Sequence, residues 1–396
     1  MKVLYITPFS SNSNNYFNSI YREGHDITLL TDDLTFHLQR FSLPSFESSS
    51  KQIIGPYYMG ILKKVIYKLN FSRQLIYFFI RKIDESYYKY LRKLKNERFD
   101  IVISYRDIGL EYIQEFKKKG AIFIVEEVNT HPDFMNKLLK REAIRLGLNP
   151  IKNILSDIKV SNIKEAYEKS DYILCSSKHV YRTIKKRTQQ GKKFIINPYG
   201  CPYPLIKKEI KEFKKINLLC IARIHLRKGI HYLLDVYELL NQNFPEKYTL
   251  TIVGGISSDP GFNFNKVNAN IKFLGSLSKD KIKKLFIKSH IFVLPTIEEG
   301  QAIVIGEALS HGLPIISTPL SGTIDYIKNN ELLEKSYKNL SIQIIQPSNI
   351  RIFYDSIIKL SNINAYKKAS ESSLLISSQN TWNLSGQELV KKLSLI

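Results

Sequence analysis

Two charged clusters in the second half of the chain carry chemistry that residue type and spacing alone make legible. Arg223 directly follows a β-rich run, and Lys228-Gly229 comes five residues later at the mouth of a helical segment. A loop with two cations that leads into a helix N-terminus presents fixed positive charge, to which the helix dipole adds, and this suits a phosphate group. Arginine can hold a phosphate through two parallel bonds, whereas lysine acts as a compact point charge. The second cluster is Leu294-Pro295-Thr296-Ile297-Glu298-Glu299-Gly300-Gln301-Ala302-Ile303-Val304-Ile305-Gly306-Glu307-Ala308. A buried strand is expected to end at Leu294, a loop to reach Gly300, and a helix to carry Glu307 into the same cleft as Glu299. Two carboxylates at opposite ends of such an element can grip the hydroxyls of a sugar and of a ribose. The amides of Gly300, Gln301, Ala302 and Ile303, at the helix start, would be donors directed at a pyrophosphate.

The elements that position these groups alternate between strand and helix, the pattern of a parallel sheet covered on both faces. In the first half the expected strands are Lys2 to Thr7, His25 to Leu30, Asp100 to Ser104, Ala121 to Val125, Tyr172 to Cys175 and Lys193 to Asn197. The run Asn197-Pro198-Tyr199-Gly200-Cys201-Pro202 then breaks the alternation, and a charged segment, Lys207 to Lys215, leads into a second set. That set has strands at Asn217 to Ala222, Tyr248 to Val253 (followed by Gly254-Gly255), Ile271 to Leu274, Ile291 to Leu294 and Leu313 to Ser317. Its helices are Ile230 to Leu240, Lys279 to Lys288 and one that ends at Gly312, a residue suited to a left-handed C-cap. Two sets of similar size imply an α/β protein with two Rossmann-like domains facing each other across a cleft. We divide them at residues 1–204 and 205–377. Ser10 to Asn15 reads as a polar loop.

A chain of 396 residues with 43% apolar and 24% charged residues has an ordinary globular composition and room for two cores. Its 59 Lys+Arg against 36 Asp+Glu give a formal charge of +23, which calls for an anionic partner: nucleic acid, a phosphorylated substrate or an acidic membrane. The Lys/Ile/Asn bias of an AT-rich genome explains part of that excess equally well. Cys175, Cys201 and Cys220 show neither CxxC spacing nor a histidine companion, which speaks against a disulfide scaffold and a zinc site and for a reducing cytosol. No apolar stretch approaches the ~20 residues that span a bilayer, and Val3 to Ile6 is too short for a signal-peptide core. The expected place is the cytoplasm, either free or resting on the inner face of the cell membrane. Residues 51–100 hold 12 Lys/Arg and 4 acids, interleaved over residues 61–95 with apolar side chains at helical spacing. Such a basic amphipathic helix fits an anionic lipid surface, or else buries its stripe in a domain and shows its lysines to water.

From about residue 216 to 327 the sequence resembles the retaining glycosyltransferases of the GT-B fold, the group called glycosyltransferase family 4. The family's two acids eight positions apart fall on Glu299 and Glu307, preceded by its apolar-Pro-Ser/Thr at Leu294-Pro295-Thr296. The stretch Glu307 to Ser317 is very like the family's. Arg223 to Gly229 matches its Arg and Lys-Gly spacing, Leu250 to Gly254 its strand-then-glycine, and Phe273-Leu274-Gly275 its short turn. The first half matches in layout only. The tail around Trp382, about 378–396, looks like the family's closing helix, which crosses back to complete the first domain.

The resemblance implies roles. Arg223 and Lys228 would bind and stabilise the leaving diphosphate of a nucleotide sugar, such as a UDP- or GDP-sugar; Glu307 would hold the ribose, and Glu299 the sugar. His131, in Asn129-Thr130-His131-Pro132, occupies the place of the family's active-site histidine, and Gly200 matches a turn that closes the first domain. Gly254 and the Gly300 to Ile303 segment would complete the donor site. Two departures stand out: Gln301-Ala302 replaces the family's aromatic-Gly, so Gln301 is expected to influence which sugar fits, and the glycine-rich loop after the first strand is absent. No Asp-x-Asp pair occurs, so the expected chemistry uses no metal and no cofactor, with positive charge from Arg223, Lys228 and the helix start instead. The reading is transfer of a sugar to a glycan or lipid-linked acceptor. Two other classes share some of these features: a GT-B-fold nucleotide-sugar epimerase, which would need no acceptor, and a nucleic-acid-binding protein. For the last the chain lacks any signature, so no nucleic acid is expected as partner.

Overall fold

The structure, a computed structural model, is described for residues 1–7, 11–31, 51–56, 85–204, 212–256, 261–264, 267, 270–327 and 341–396. Two parallel sheets organise it. The first contains β1 (Lys2–Ile6), β2 (Asp26–Leu30), β3 (Lys51–Ile54), β4 (Ile101–Tyr105), β5 (Ile122–Glu127), β6 (Tyr172–Cys175) and β7 (Lys193–Ile196), in the spatial order β3-β2-β1-β4-β5-β6-β7. The second contains β8 (Ile216–Ile221), β9 (Tyr248–Val253), β10 (Ile271–Phe273), β11 (Ile291–Leu294), β12 (Ile315–Ser317) and β13 (Ile342–Ile344), in the order β10-β9-β8-β11-β12-β13. The change from one sheet to the other thus falls between Ile196 and Ile216.

Both faces of the first sheet are covered, which is why its strands read as unbroken apolar runs. Leu4, Ile6, Val102, Phe123, Val125 and Ile173 point into one core, while Val3, Tyr5, Ile101, Ile103, Ile124 and Leu174 point into another. The period-2 alternation of a strand sends neighbours to opposite sides, and here both sides are dry. The second sheet has its own core around Leu218, Cys220, Ile252, Phe292, Leu294 and Ile316. β3 and β13 carry no sequence signal of their own, being four and three residues long with a glutamine inside each.

Three further elements bear on the expectations. Ser11–Arg22 is a helix, α1, so the polar Ser10 to Asn15 segment is a helix start from Ser11 onward rather than a loop. Serine and asparagine favour that position, and Tyr16, Phe17, Ile20 and Tyr21 behind them are buried. Of the basic segment 61–95, residues 61–84 lie outside the described residues; residues 85–94 are helical, and Tyr87, Leu91 and Leu94 are buried in the first domain's core. In that part the apolar stripe faces protein.

The last helix, α2 (Trp382–Leu393), crosses back to the first domain, placing Leu389, Val390 and Leu393 in the core that holds Tyr5 and Tyr16. The crossing is pinned where the Cys201 amide donates to the Asn380 carbonyl at 2.6 Å and the Trp382 amide to the Cys201 carbonyl at 3.0 Å. Gly200 sits at this crossing, where a Cβ would lie 2.4 Å from the Trp382 Cα. Elsewhere the two domains meet through Met135 and Leu139 of the first against Tyr232 and Ile297 of the second. Beside that patch the His231 Nε2 stands 2.8 Å from the Glu142 carboxylate. Burial raises the Glu142 pKa, but hydrogen bonds from His231 and Arg145 outweigh it and hold the carboxyl at about 2.

Candidate active site

β8 and β11 are hydrogen-bonded neighbours, with Phe292 opposite Leu219, yet the chain after β8 goes to β9 on the other side. The loops leaving the C-terminal ends of these two strands therefore diverge and open a crevice, the usual ligand position in such sheets. After β8 comes a single turn, Leu226–Lys228, capped by the His225 side chain, which accepts from the Arg227 amide at 3.1 Å. Gly229 follows with φ of 63°, and the helix α3 (Ile230–Asn243) begins. After β11 the loop runs to Ala302, and the helix α4 (Ile303–Ser310) begins there. The two loops touch at Pro295, the first residue after β11, where a Cβ on Gly229 would lie 2.1 Å from its carbonyl oxygen.

That contact brings two dipeptides of opposite charge face to face, Arg227-Lys228 and Glu298-Glu299, each followed by a glycine. The Lys228 ammonium forms a close ion pair with the Glu299 carboxylate. Arg227 Nη1 lies 3.0 Å from Glu298 Oε2 and 3.5 Å from Glu299 Oε1. Burial, with the Arg227 charge beside it, pushes the Lys228 pKa well below the usual lysine range. Glu307, just over one turn into α4, has its pKa raised by burial, with Lys279 pulling it back in part. Ile303 opens the helix, so its amide is among those a helix start leaves without an intrahelical acceptor.

The structure thus joins Lys228 and Glu299 and places Glu307 on the helix that follows. Arg223 is exposed just beyond β8, and the guanidinium held on the two acids belongs to Arg227. Three expected donor contacts have other partners. The Ala302 amide donates to the Ser321 carbonyl at 3.2 Å, and the Gly254 amide to the Gly275 carbonyl at 2.8 Å. Gly254 serves close approach instead, since at φ of 150° a Cβ would meet the Ala222 carbonyl oxygen at 2.0 Å. The Gln301 side chain is buried and accepts from the Tyr199 amide at 2.6 Å, tying α4 to the first domain rather than facing a sugar. Gly300 is pressed against the first domain, where a Cβ would lie 1.7 Å from the Val128 carbonyl oxygen.

His131 caps the helix α5 (Pro132–Arg145), its Nδ1 accepting from the Asp133 amide at 3.2 Å. The ring is buried against Tyr167 and lines a cavity of about 220 Å³ with Lys164, Arg187 and Lys192, all of the first domain. Burial lowers its pKa to about 4, so it is neutral at neutral pH. The residues of this loop that reach the charged cluster are its predecessors: Thr130 donates to Glu298, and Asn129 accepts from Arg227. Arg227, Glu298, Asn129 and Thr130 were not singled out from sequence. The one available signal was the doubling itself, Arg-Lys-Gly against Glu-Glu-Gly.

Two parallel α/β sheets, with a last helix that crosses back to the first, make this the GT-B fold. Residues 215–362, most of the second domain, match the family model described as Glycosyl transferases group 1. Among characterised proteins the chain is similar to a capsular polysaccharide biosynthesis glycosyltransferase of Staphylococcus aureus, at 26% identity over 278 residues covering 63% of this chain and 73% of the relative. Among solved structures it resembles a sucrose-phosphate synthase from Thermosynechococcus elongatus, with a TM-score of 0.67, 12% identity and coverage of 100% and 98% of the two chains. It also resembles Alr3699/HepE of Anabaena, solved with UDP and glucose, with a TM-score of 0.63, 12% identity and full coverage of both chains, 100% each.

Proposed function

We propose that the protein transfers a sugar, with retention of configuration, from a nucleotide-diphosphate sugar to a glycan or lipid-linked acceptor in surface-polysaccharide synthesis. The observation that carries this reading is the Lys228–Glu299 pair in the crevice between β8 and β11. A diphosphate entering there takes Lys228 from Glu299, and the released carboxylate turns to the sugar hydroxyls. Arg223 and the Ile303 amide add fixed positive field where negative charge develops on the leaving diphosphate, and this field replaces a metal ion. Glu307 holds the ribose. With retention, the leaving phosphate oxygen accepts the acceptor's proton on the face of attack, so no side-chain base is needed. Contact between the domains keeps water from the donor. The staphylococcal relative and the UDP-bound Anabaena protein support the choice of polysaccharide product and nucleotide donor. The natural place for this reaction is the cytoplasm, at the inner face of the membrane. Among the described residues no helix is long and apolar enough to cross it.

The test is to incubate the protein with UDP- and GDP-sugars in a metal chelator, with and without oligosaccharide or lipid-linked acceptors, and to read product configuration by NMR. Consumption of one donor only with acceptor, to a product of unchanged anomeric configuration, is expected. Inverted product, or epimerised donor without acceptor, overturns the reading.

A further inference from the structure

Two segments far apart in sequence, one from each domain, converge on the Glu298 carboxylate, which is 0% exposed. From the first domain, Thr130 donates to Oε1 through its amide at 3.1 Å and its hydroxyl at 2.7 Å. From the second domain, Arg227 Nη1 donates to Oε2 at 3.0 Å and also reaches Asn129 Oδ1, across the interface, at 3.2 Å. The Arg227 carbonyl is clasped in turn by the Ile297 amide at 2.9 Å and the Thr296 hydroxyl at 3.1 Å. The two second-domain members of this network are covalently next to groups already placed at the donor: Arg227 precedes Lys228, and Glu298 precedes Glu299.

A buried carboxylate needs donors on both oxygens, because an unmet charge away from water is costly. When the domains part, Glu298 loses both Thr130 donors and keeps Arg227 alone. When they close, it is saturated, and the backbone on either side of the Lys228–Glu299 pair is locked. Gly300 permits this approach against Val128, and the Ser177 hydroxyl, donating to the Gly300 carbonyl at 2.8 Å, seals it one residue further on.

We infer that Glu298 is a positioning residue that carries domain closure into the donor loops by holding Thr130 of the first domain and Arg227 of the second at once. This rests on the proposed transfer reaction for its kinetic consequence, though not for its structural one. Closure without the latch leaves Lys228 and Glu299 able to bind a diphosphate on the second domain, but not fixed for transfer.

The test uses the full chain carrying Thr130→Val, which removes the cross-domain hydroxyl, and Thr130→Ser, which restores it. UDP and GDP binding are measured by calorimetry, kcat and KM on the donor sugar that is used, and domain separation by spin labels at the exposed positions 118 and 284. For Thr130→Val we expect kcat to fall about tenfold or more, the scale of one charge-assisted hydrogen bond. Nucleotide affinity should stay within about twofold, and the label distances should broaden. Thr130→Ser should return all three to wild type. The inference is overturned by an unchanged kcat, by Thr130→Ser as impaired as Thr130→Val, or by equal losses of kcat and affinity at unchanged label distances. If the wild-type protein transfers no sugar from any donor, the reaction fails, and the label distances alone decide the latch.

Discussion

Glu126 offers a sharp test of how the first domain is held together. It lies at the end of β5, is 3% exposed, and accepts the Tyr5 hydroxyl at 2.8 Å. Burial, with Glu127 next to it, outweighs that hydrogen bond and raises its pKa from 4.5 to about 7. A carboxyl whose folded pKa exceeds its unfolded value binds more protons in the folded state between the two, so stability falls as pH rises from about 4.5 to about 7. At 1.36 kcal/mol per pH unit, the interval from 4.5 to about 7 costs about 3 kcal/mol once the group is fully ionised. Glu126→Gln keeps the acceptor for Tyr5 and cannot ionise. We expect the variant and wild type to have equal stability near pH 4.5, and the variant to be about 3 kcal/mol more stable at pH 8. Urea unfolding from pH 4.5 to 8 checks this. Its probe is the fluorescence of Trp382, the only tryptophan, whose ring centroid lies 6.1 Å from Tyr16 and 5.6 Å from Tyr199 at the same core. A stability difference that does not change with pH would refute the argument.

Gly300→Ala puts a methyl where the Val128 carbonyl stands, so the cleft cannot close; we expect kcat to drop by about a hundredfold and the melting temperature to fall as the domain contacts are lost. Activity within threefold of wild type would contradict the close approach. Glu142, held at about 2, stabilises the domain contact at pH above about 4.5, and this is lost as pH falls toward 2. Thermal melts of Glu142→Gln and wild type should therefore differ most near neutrality and converge by about pH 2, while a gap that widens in acid would reverse the sign of the argument.

Much of the fold was legible because parallel strands buried on both faces leave continuous apolar runs: Val3 to Ile6 and Ile291 to Leu294 need no neighbour to be recognised. β13, Ile-Gln-Ile, is too short for such a signal and takes its place only by pairing with β12. Lys228, Glu299 and Glu307 could be picked out because their spacing to glycines and to strand ends follows from one loop-and-helix unit each. Gln301 could not, since its role depends on the Tyr199 backbone across the domain interface. Arg227 and Glu298 were hidden for a related reason. A charge beside another charge in a basic chain reads as solvated surface until the partner loop, about 70 residues away in sequence, is brought against it.

The central claim is that a nucleoside diphosphate binds in the crevice between the loops after β8 and β11. Calorimetric titration of UDP and GDP into wild type, Lys228→Ala and, as a control on the first domain's cavity, Lys164→Ala tests it most directly. The account predicts that one nucleotide binds, that Lys228→Ala weakens it about ten- to a hundredfold, and that Lys164→Ala leaves it unchanged. Equal affinity in the Lys228→Ala protein, or a loss confined to Lys164→Ala, would place the diphosphate elsewhere.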